Sequence, residues 1–276
     1  MPGVRYRGKK DNLLFLSPVS DTRHPTPVIM RPTILRYDSL PSTNTEAARA
    51  ARAGAPEGVC VIAREQTAGR GRRERAWSST ADAGLYFSIV LRPRMSQELW
   101  PLLTLMASLA VHDALLNSCS LETDIKWPND VYAGGRKLCG ILAETVEAET
   151  GRAVIVGIGI NLNDSAFPEE LKMVATSVEA EAGAKVDREL LIEELVRALG
   201  QKYELLQSAG GAALMLAEWT ARSSYAVGKR VRVELHGETI EGTTRGLEPD
   251  GALRVETVAG EIKLIRAGDV WALRQT

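Results

Sequence analysis

Four arginines crowd one glycine-rich stretch of this sequence. Gly69–Trp77 reads GRGRRERAW, so Arg70, Arg72, Arg73 and Arg75 fall within six positions of a 276-residue chain whose formal net charge is only −1. Guanidinium groups bind phosphate and carboxylate oxygens bidentately, and glycine lets backbone N–H groups approach a ligand closely. The stretch indicates a small phosphate ligand. Two alternatives stay open: a patch that binds nucleic acid without sequence preference, and a solvated loop.

A second polar cluster, KWPND, occupies Lys126–Asp130. A cation, a rigid aromatic–proline turn, an amide and a carboxylate follow one another, so Asn129 and Asp130 can coordinate Mg²⁺ or align a phosphate. An Asn-Asp turn after a strand is also common in any protein, and this simpler interpretation stays open.

Two further segments place polar or small residues on apolar strands. In GGRKLCGILAE (134–144), Lys137 lies where a hairpin rejoins a sheet, and Gly140 indicates close approach of a ligand or backbone, or a bulge. In GIGINLN (157–163), Asn161 ends a buried strand and is a candidate ligand for a metal or a nucleotide. Neither a dinucleotide fingerprint nor a Walker loop is present, because the third glycine and any GxxxxGKS or GxxxxGKT run are missing.

The first element that must position these residues is a strand, turn and helix over residues 33–54. Ser42 or Thr43 can cap the helix, Thr43 with Glu46 fits a capping box, and Gly54 ends it.

Apolar periodicity predicts the remaining elements and a division into three parts. Strands are expected in 58–65, 84–93, 124–148 (with a hairpin tip at Gly134–Gly135) and 152–164, and helices in 97–118, 187–210 and 211–223. From Val227 onward, short alternating strands and glycine-rich turns suit a small β-barrel, which places a boundary near Ser223–Gly228. We therefore expect a loose, proline-rich arm at 1–33, an α+β domain with a mixed β-sheet and helices at 34–224, and a C-terminal β-barrel domain at 225–276.

Composition restricts the classes of function. Cys60, Cys119 and Cys139 are scattered and odd in number, which argues against a disulfide framework and fits the reducing cytoplasm. The three histidines are far apart and form no HExxH motif, so we expect no metal site built on histidine and cysteine. Without an apolar run of about 18–20 residues or a hydrophobic leader, a cytoplasmic protein with no membrane partner is expected.

Taken in order, five motifs resemble the signatures of the biotin protein ligases, also called biotin–acetyl-CoA-carboxylase ligases. From about Ile34 to the C-terminus these are STN (Ser42–Asn44), GRGRRxxxW, KWPND, RKLxGIL and GIGINLN. The resemblance implies a class II synthetase-like catalytic domain at 34–224 and an Src-homology-3-like β-barrel at 225–276. It also implies the activity: biotin and ATP form biotinyl-5′-AMP and pyrophosphate, and the adenylate then acylates a lysine of the biotin carboxyl carrier protein of acetyl-CoA carboxylase or a related carboxylase. Such a reaction needs no serine or cysteine nucleophile, and the sequence shows no catalytic triad.

The same resemblance implies a role for each matched residue. Lys137, Arg72 and Asp130 would be catalytic: Lys137 would neutralise charge on the α-phosphate and carboxylate, and Asp130 would be a base for the acceptor lysine. Biotin would be bound by Ser42, Thr43, Asn44, Gln66, Gly69, Arg70, Lys137 and Gly140. The nucleotide would be bound by Arg72, Arg73, Arg75, Trp77, Lys126, Asn129 and Asn161, and Mg²⁺ by Asp130 and Asn129.

The sequence departs from the family pattern at two places. Glu74 stands where the motif GRGRRGR commonly has its last glycine, and its charge and Cβ can restrict the turn. No DNA-binding domain precedes Ile34, so a monofunctional ligase that does not bind DNA is expected. A homodimer through an open sheet edge is a further possibility. The alternatives in function are a lipoate–protein ligase, which shares the fold and the adenylate chemistry, and a nucleic-acid-binding regulator.

Overall fold

The computed structural model describes residues 5–6, 32–164, 167–235 and 238–273. Within them lie an eight-stranded mixed sheet, five α-helices and a separate five-stranded antiparallel sheet. The α+β class predicted from the sequence, with a small all-β unit at the C-terminus, is confirmed. Apart from Arg5–Tyr6 and its last two positions, the predicted arm at 1–33 lies outside the described residues.

The large sheet positions most of the motifs. Its strands are β1 Arg5–Tyr6, β2 Thr33–Leu40, β3 Val59–Gln66, β4 Gly84–Leu91, β5 Asp124–Lys126, β6 Asp130–Ala133, β7 Arg136–Val146 and β8 Ala153–Asn161. Their spatial order is β1-β2-β3-β4-β8-β7-β6-β5, and β2 is parallel to β1 and β3, whereas all later pairs are antiparallel. Gly134–Gly135 forms the tip of the β6–β7 hairpin, as expected.

The alternation of side chains along β8 divides the two faces of this sheet. Val156, Ile158 and Ile160 are buried in the main hydrophobic core. Gly157 and Gly159 alternate with them and therefore lie on the opposite face, because successive strand residues point to opposite sides. The motif GIGIN thus supplies core packing on one side of the sheet and a floor without side chains on the other.

Helices cover both faces. Their bounds are α1 Thr43–Arg52, α2 Leu102–Cys119, α3 Val178–Ala182, α4 Arg188–Gln207 and α5 Gly211–Arg222. On the glycine face, α1 packs through Ala47 and Ala51, both fully buried in a second, smaller cluster. On the other face, α2 and α4 pack against each other and build the main core.

Helix α2 is the central buried helix that the sequence predicted. Its 18 residues have a mean hydropathy of 1.3, which by length and composition alone would suffice to cross a membrane. In this structure 67% of the helix is buried inside the protein, against α4 and the sheet. Burial of most of the helix explains why it is apolar and has no polar face.

The capping box predicted for α1 is wrong. Ser42 is the N-cap residue, but its side chain makes no capping hydrogen bond. The Glu46 carboxylate instead accepts hydrogen bonds from the Tyr37 hydroxyl (2.8 Å) and from Arg49. The carboxylate that a capping box would require is therefore used by Tyr37 on β2 and by Arg49 within the helix.

The C-terminal sheet contains β9 Val227–Leu235, β10 Glu238–Leu247, β11 Leu253–Thr257, β12 Ile262–Ile265 and β13 Asp269–Ala272, in the order β12-β11-β10-β9-β13. It packs against the first domain at the KWPND turn, where Trp127 Nε1 donates a hydrogen bond to the Gly251 carbonyl (3.0 Å). Strand β13, at one edge of this sheet, faces the arginine-rich stretch.

Candidate active site

A cavity of about 380 Å³ lies on the glycine face of the large sheet, between α1, the arginine-rich stretch and β13. The structure brings fourteen of the predicted site residues to its walls: Ser42, Thr43, Asn44, Gln66, Arg70, Arg72, Arg75, Trp77, Lys126, Asn129, Asp130, Lys137, Gly140 and Asn161. Gly69 and Arg73, also predicted, are not in the lining. Residues from five separate motifs therefore converge on one cavity.

One end of the cavity is neutral and polar. The Thr43 backbone N–H donates to Gln66 Oε1 (2.9 Å), and the Thr43 hydroxyl donates to the same oxygen (3.1 Å). Gln66 Nε2 donates to Ser79 Oγ (2.8 Å), which fixes the amide orientation. The Ser42 hydroxyl, on a residue only 4% exposed, has no hydrogen-bond partner among the described residues. It is thus available to a ligand.

Asn44 lines the cavity and also connects three elements of the fold. Its Nδ2 donates to the Leu142 carbonyl (3.2 Å) and to Glu144 Oε2 (2.7 Å), and its Oδ1 accepts from Ser88 Oγ (2.7 Å). Both amide hydrogens are therefore used, because an asparagine side chain has two. A Cβ at Gly157 would lie 2.0 Å from Asn44 Oδ1, so the amide also fills the space above that glycine. Its amide thus ties α1 to β7 and β4, and the direct biotin contact of Asn44 stays a prediction.

The arginine loop, residues 69–77, is held by carboxylates from distant parts of the chain. Arg70 donates to Glu144 Oε2 (2.9 Å). Arg73 donates to Asp269 Oδ2 (3.3 Å), and Arg75 donates to the same oxygen. Three of the four guanidinium groups thus have anionic partners within the protein.

Arg72 connects the KWPND turn with the C-terminal sheet. Its NH1 donates to Asn129 Oδ1 (3.1 Å) and to the Gly268 carbonyl (3.3 Å). Burial is the largest effect on this side chain and lowers the pKa of its guanidinium. Asn129 is itself fixed, because its Nδ2 donates to the Ile141 carbonyl (2.9 Å). The charge of Arg72, which lines the cavity, is therefore desolvated and held between the KWPND turn and the C-terminal sheet.

The arginine loop turns through left-handed backbone. Arg73 and Glu74 have φ angles of 53° and 60°, in a single 3₁₀ turn over Arg72–Glu74. Glu74, which replaces the glycine common in the family motif, adopts the conformation that glycine would adopt freely. Gly69 is required for another reason, since a Cβ there would lie 2.4 Å from the Trp77 carbonyl oxygen.

The Trp77 ring lies directly on the glycine floor. A Cβ at Gly140 would approach the indole to 2.8 Å, and a Cβ at Gly159 would approach Trp77 Nε1 to 2.6 Å. The close approach that the sequence indicated at Gly140 is present, but the approaching group is an indole. A ligand chain lying on Gly140 therefore requires the ring to shift. The Trp77 Nε1 atom is buried and has no hydrogen-bond partner among the described residues.

Lys137 and Asp130 form the charged pair of the site. Lys137 Nζ lies 2.7 Å from Asp130 Oδ1, in an ion pair whose angles fall outside those of a hydrogen bond. The same ammonium lies 5.4 Å from the Trp77 ring centroid. Lys137 pairs with Tyr132 in the β6–β7 register and reaches Asp130 diagonally across the hairpin, so the hairpin fixes Lys137 as the sequence predicted.

Lys126, predicted to bind the nucleotide, is almost fully buried among aromatic rings. It is only 7% exposed, donates to the Tyr132 hydroxyl (3.1 Å), and lies 5.0–5.7 Å from the ring centroids of Tyr132, Tyr225 and Trp271. Burial is the dominant effect and lowers the pKa of its ammonium. Its surroundings join the two sheets, so it is a structural cation as well as part of the cavity wall.

The described residues of the site offer few side chains that could bind a metal ion. Within the described ranges, no group of three or more histidine, cysteine, aspartate or glutamate side chains could hold a metal. Mg²⁺ typically uses one or two protein carboxylates and takes its remaining ligands from phosphates and water. Asp130 suits that limited role. Asn129 Oδ1 already accepts from Arg72, and Asn161 Nδ2 donates to the Thr176 carbonyl (3.0 Å).

Sequence reasoning missed five residues that shape the site. They are Ser88, Tyr132, Glu144, Asp269 and Trp271. Ser88 carried a signal, because it is the one polar residue within the otherwise apolar and buried strand β4. Asp269 carried none, since it belongs to another sheet and meets the loop only in the folded chain.

Comparisons with known proteins agree with this geometry. The family model "Biotin/lipoate A/B protein ligase family" matches residues 37–161, and "Biotin protein ligase C terminal domain" matches residues 226–271. The bifunctional ligase/repressor BirA of Bacillus subtilis is 38% identical over 247 residues, covering 88% of this chain and 74% of that protein. A biotin–acetyl-CoA-carboxylase ligase of Mycobacterium tuberculosis is 38% identical over 239 residues, covering 84% of this chain and 86% of that protein.

Among solved structures, a biotin protein ligase from Aquifex aeolicus in complex with biotin and ATP aligns with a TM-score of 0.75 at 30% identity. The alignment covers 88% of this chain and 99% of that one. The fold, the cavity and both matched models define a member of the biotin/lipoate ligase superfamily. Within it, this chain belongs to the biotin protein ligases.

Proposed function

We propose that this chain is an ATP-dependent biotin protein ligase. It activates biotin with ATP to biotinyl-5′-AMP and transfers the biotinyl group to a lysine of the biotin carboxyl carrier protein of a biotin-dependent carboxylase. The supporting observation is how the character of the cavity wall changes from one end to the other. A neutral hydrogen-bonding end at Ser42 and Gln66 leads over a glycine floor to the cations Lys137 and Arg72. From one end to the other, these three surfaces suit the ureido ring, the aliphatic chain and the carboxylate of biotin.

In the first half-reaction, the biotin carboxylate attacks the α-phosphorus of ATP and pyrophosphate leaves. Negative charge builds up on the phosphoryl oxygens, so the enzyme's contribution is positioning and electrostatic stabilisation. Lys137 is positioned for this task by the hairpin and by Asp130. Arg72, already desolvated, interacts more strongly with an anion than an exposed arginine would.

In the second half-reaction, the acceptor amine attacks the acyl carbon of the adenylate, and AMP leaves with the electrons of the broken anhydride bond. The amine must lose a proton. We assign Asp130 as the candidate base, because its carboxylate lines the cavity and becomes less constrained when Lys137 turns toward the phosphate. Closure of the arginine loop keeps water from the mixed anhydride until the amine arrives.

We further propose that Mg²⁺ enters with the nucleotide and that Asp130 supplies its protein carboxylate. The ion would neutralise phosphate charge, and most of its ligands would come from the nucleotide. The proposed setting is the cytoplasm, without DNA or a membrane as partner. Homodimerisation through an open edge of the large sheet also remains a proposal.

The experiment that tests the function combines pyrophosphate release with intact mass of a carrier domain. Purified chain is incubated with ATP, Mg²⁺ and biotin, and the expected products are pyrophosphate and a carrier domain heavier by one biotinyl group. Parallel reactions contain lipoate in place of biotin, or the Lys137→Ala variant. Transfer of lipoate but not biotin would identify a lipoate ligase, and absence of both products would reject the proposal.

A further inference from the structure

Glu144 joins the wall of the cavity to the arginine loop. It lies on β7, two residues beyond the cavity-lining Leu142 and on the same face of the sheet. Its Oε2 accepts from Asn44 Nδ2 (2.7 Å) and from Arg70 NH2 (2.9 Å). A single carboxylate oxygen therefore contacts two structural units that are 26 positions apart in sequence.

Each hydrogen-bond partner of Glu144 belongs to one of these units. Asn44 belongs to the first turn of α1, directly after Ser42 and Thr43, which form the neutral polar end of the cavity. Arg70 forms an antiparallel bridge with Ala76, and this bridge closes the base of the arginine loop. The Glu144 carboxylate thus links the start of α1 to the base of the loop.

The charge of Glu144 matters more to Arg70 than to Asn44. Hydrogen bonds between ionised partners are roughly twice as strong as those between neutral groups. The Glu144 side chain is 31% exposed and that of Arg70 is 47% exposed, whereas Asn44 is 4% exposed. A neutral glutamine at position 144 retains an acceptor for the Asn44 amide and removes the attraction for the guanidinium.

We propose that Glu144 is a positioning residue that couples occupation of the biotin pocket to closure of the arginine loop. This inference rests on the proposed function, since biotin is the ligand whose binding the loop would report. Coupling between two sites is reciprocal, so a pocket that is filled favours the closed loop and a closed loop favours a filled pocket. Without the Glu144 charge, each process should occur independently of the other.

The test is tryptic cleavage after the loop arginines, followed with and without biotin, together with the rate at which biotinyl-5′-AMP leaves the enzyme. The variant is Glu144→Gln. The matched control is Glu147→Gln, whose carboxylate is 72% exposed and pairs with Arg152 near the β7–β8 turn. Glu144→Asp serves as the conservative variant, and thermal unfolding checks that all proteins are folded.

In the wild type and in Glu147→Gln, biotin should slow cleavage of the loop. In Glu144→Gln, biotin should still bind within about threefold of its wild-type affinity, but cleavage should proceed at the ligand-free rate. Release of the adenylate should be about two- to fivefold faster, as expected from the loss of one partly exposed ion pair. Glu144→Asp should restore part of the protection.

Two outcomes would overturn the coupling while leaving the ligase function intact. One is wild-type protection and adenylate retention in Glu144→Gln. The other is a loss of biotin affinity beyond tenfold with protection at saturating biotin unchanged, which would make Glu144 part of the pocket alone. A wild-type protein that forms no adenylate would instead reject the proposed function, and the coupling with it.

Discussion

The contact between Asp269 and the arginine loop gives the most direct prediction about retention of the adenylate. Asp269 is 16% exposed on β13, and it pairs with Arg73 and Arg75, whose side chains are 35% and 60% exposed. These pairs bridge the C-terminal sheet and the loop, so Asp269→Asn should weaken the closed loop and leave the remaining cavity wall in place.

The size of the effect follows from exposure. Solvent-exposed ion pairs typically contribute about 0.2–1 kcal/mol each, and the largely buried carboxylate places these two toward the upper part of that range. Loss of both should destabilise the closed loop by about 1–2 kcal/mol, which lowers the ratio of closed to open loop roughly 5–30-fold. If the adenylate escapes only through the open loop, its dissociation rate should rise by the same factor.

The assay loads the enzyme with biotin and radiolabelled ATP, removes excess substrate, and follows release of labelled biotinyl-5′-AMP. Glu241→Gln is the matched control, because its carboxylate lies in the same sheet and pairs only with Arg232 among the described residues. An unchanged release rate in Asp269→Asn would contradict the reasoning. A lower KM for ATP with unchanged release would show instead that Asp269 competes with the phosphates for the arginines.

Four further predictions concern single residues. Arg72→Gly should accelerate adenylate escape at least tenfold and label surface lysines of bystander proteins, because the desolvated guanidinium is lost; an unchanged off-rate, measured by the same release assay, would argue against this role. Lys137→Ala should slow single-turnover adenylation at least a hundredfold with little change in biotin affinity, and a loss confined to affinity in calorimetry would exclude a transition-state role. Glu74→Gly should leave the biotinylation rate within about twofold, whereas Glu74→Val should slow it, because β-branched residues tolerate a φ of 60° poorly; equal rates would show that the turn does not matter. Burial lowers the pKa of Lys126 in the folded protein below its ordinary value of 10.5. Between the folded and the unfolded pKa, the unfolded chain therefore binds more protons than the folded chain, so the contribution of Lys126 to stability rises with pH in that range. The free energy of unfolding of wild type relative to Lys126→Met should therefore increase from pH 7 to pH 10 in denaturant titrations, and a decrease would reverse the assigned sign.

Local patterns in the sequence determined the elements and the class of chemistry. The apolar run at 152–164 predicted a buried strand that ends at Asn161, and Ile158 and Ile160 are indeed buried in the core. The glycine pair at 134–135 predicted the hairpin that fixes Lys137. The ordered motifs further indicated biotin and ATP as substrates. These inferences succeeded because side-chain periodicity and turn preferences depend on neighbouring residues.

Only the tertiary structure decided which groups the site residues bind. Arg70 meets a carboxylate 74 positions away, and Arg73 and Arg75 meet one 196 and 194 positions away. The Asn44 amide donates its hydrogen bonds to the neighbouring strand β7. The Trp77 ring covers Gly140, a position that the sequence left open to a ligand. A linear sequence specifies the charge and shape of each side chain, but long-range pairing depends on how strands and domains pack. The arginine loop acquires its anchors only when both sheets are folded against it.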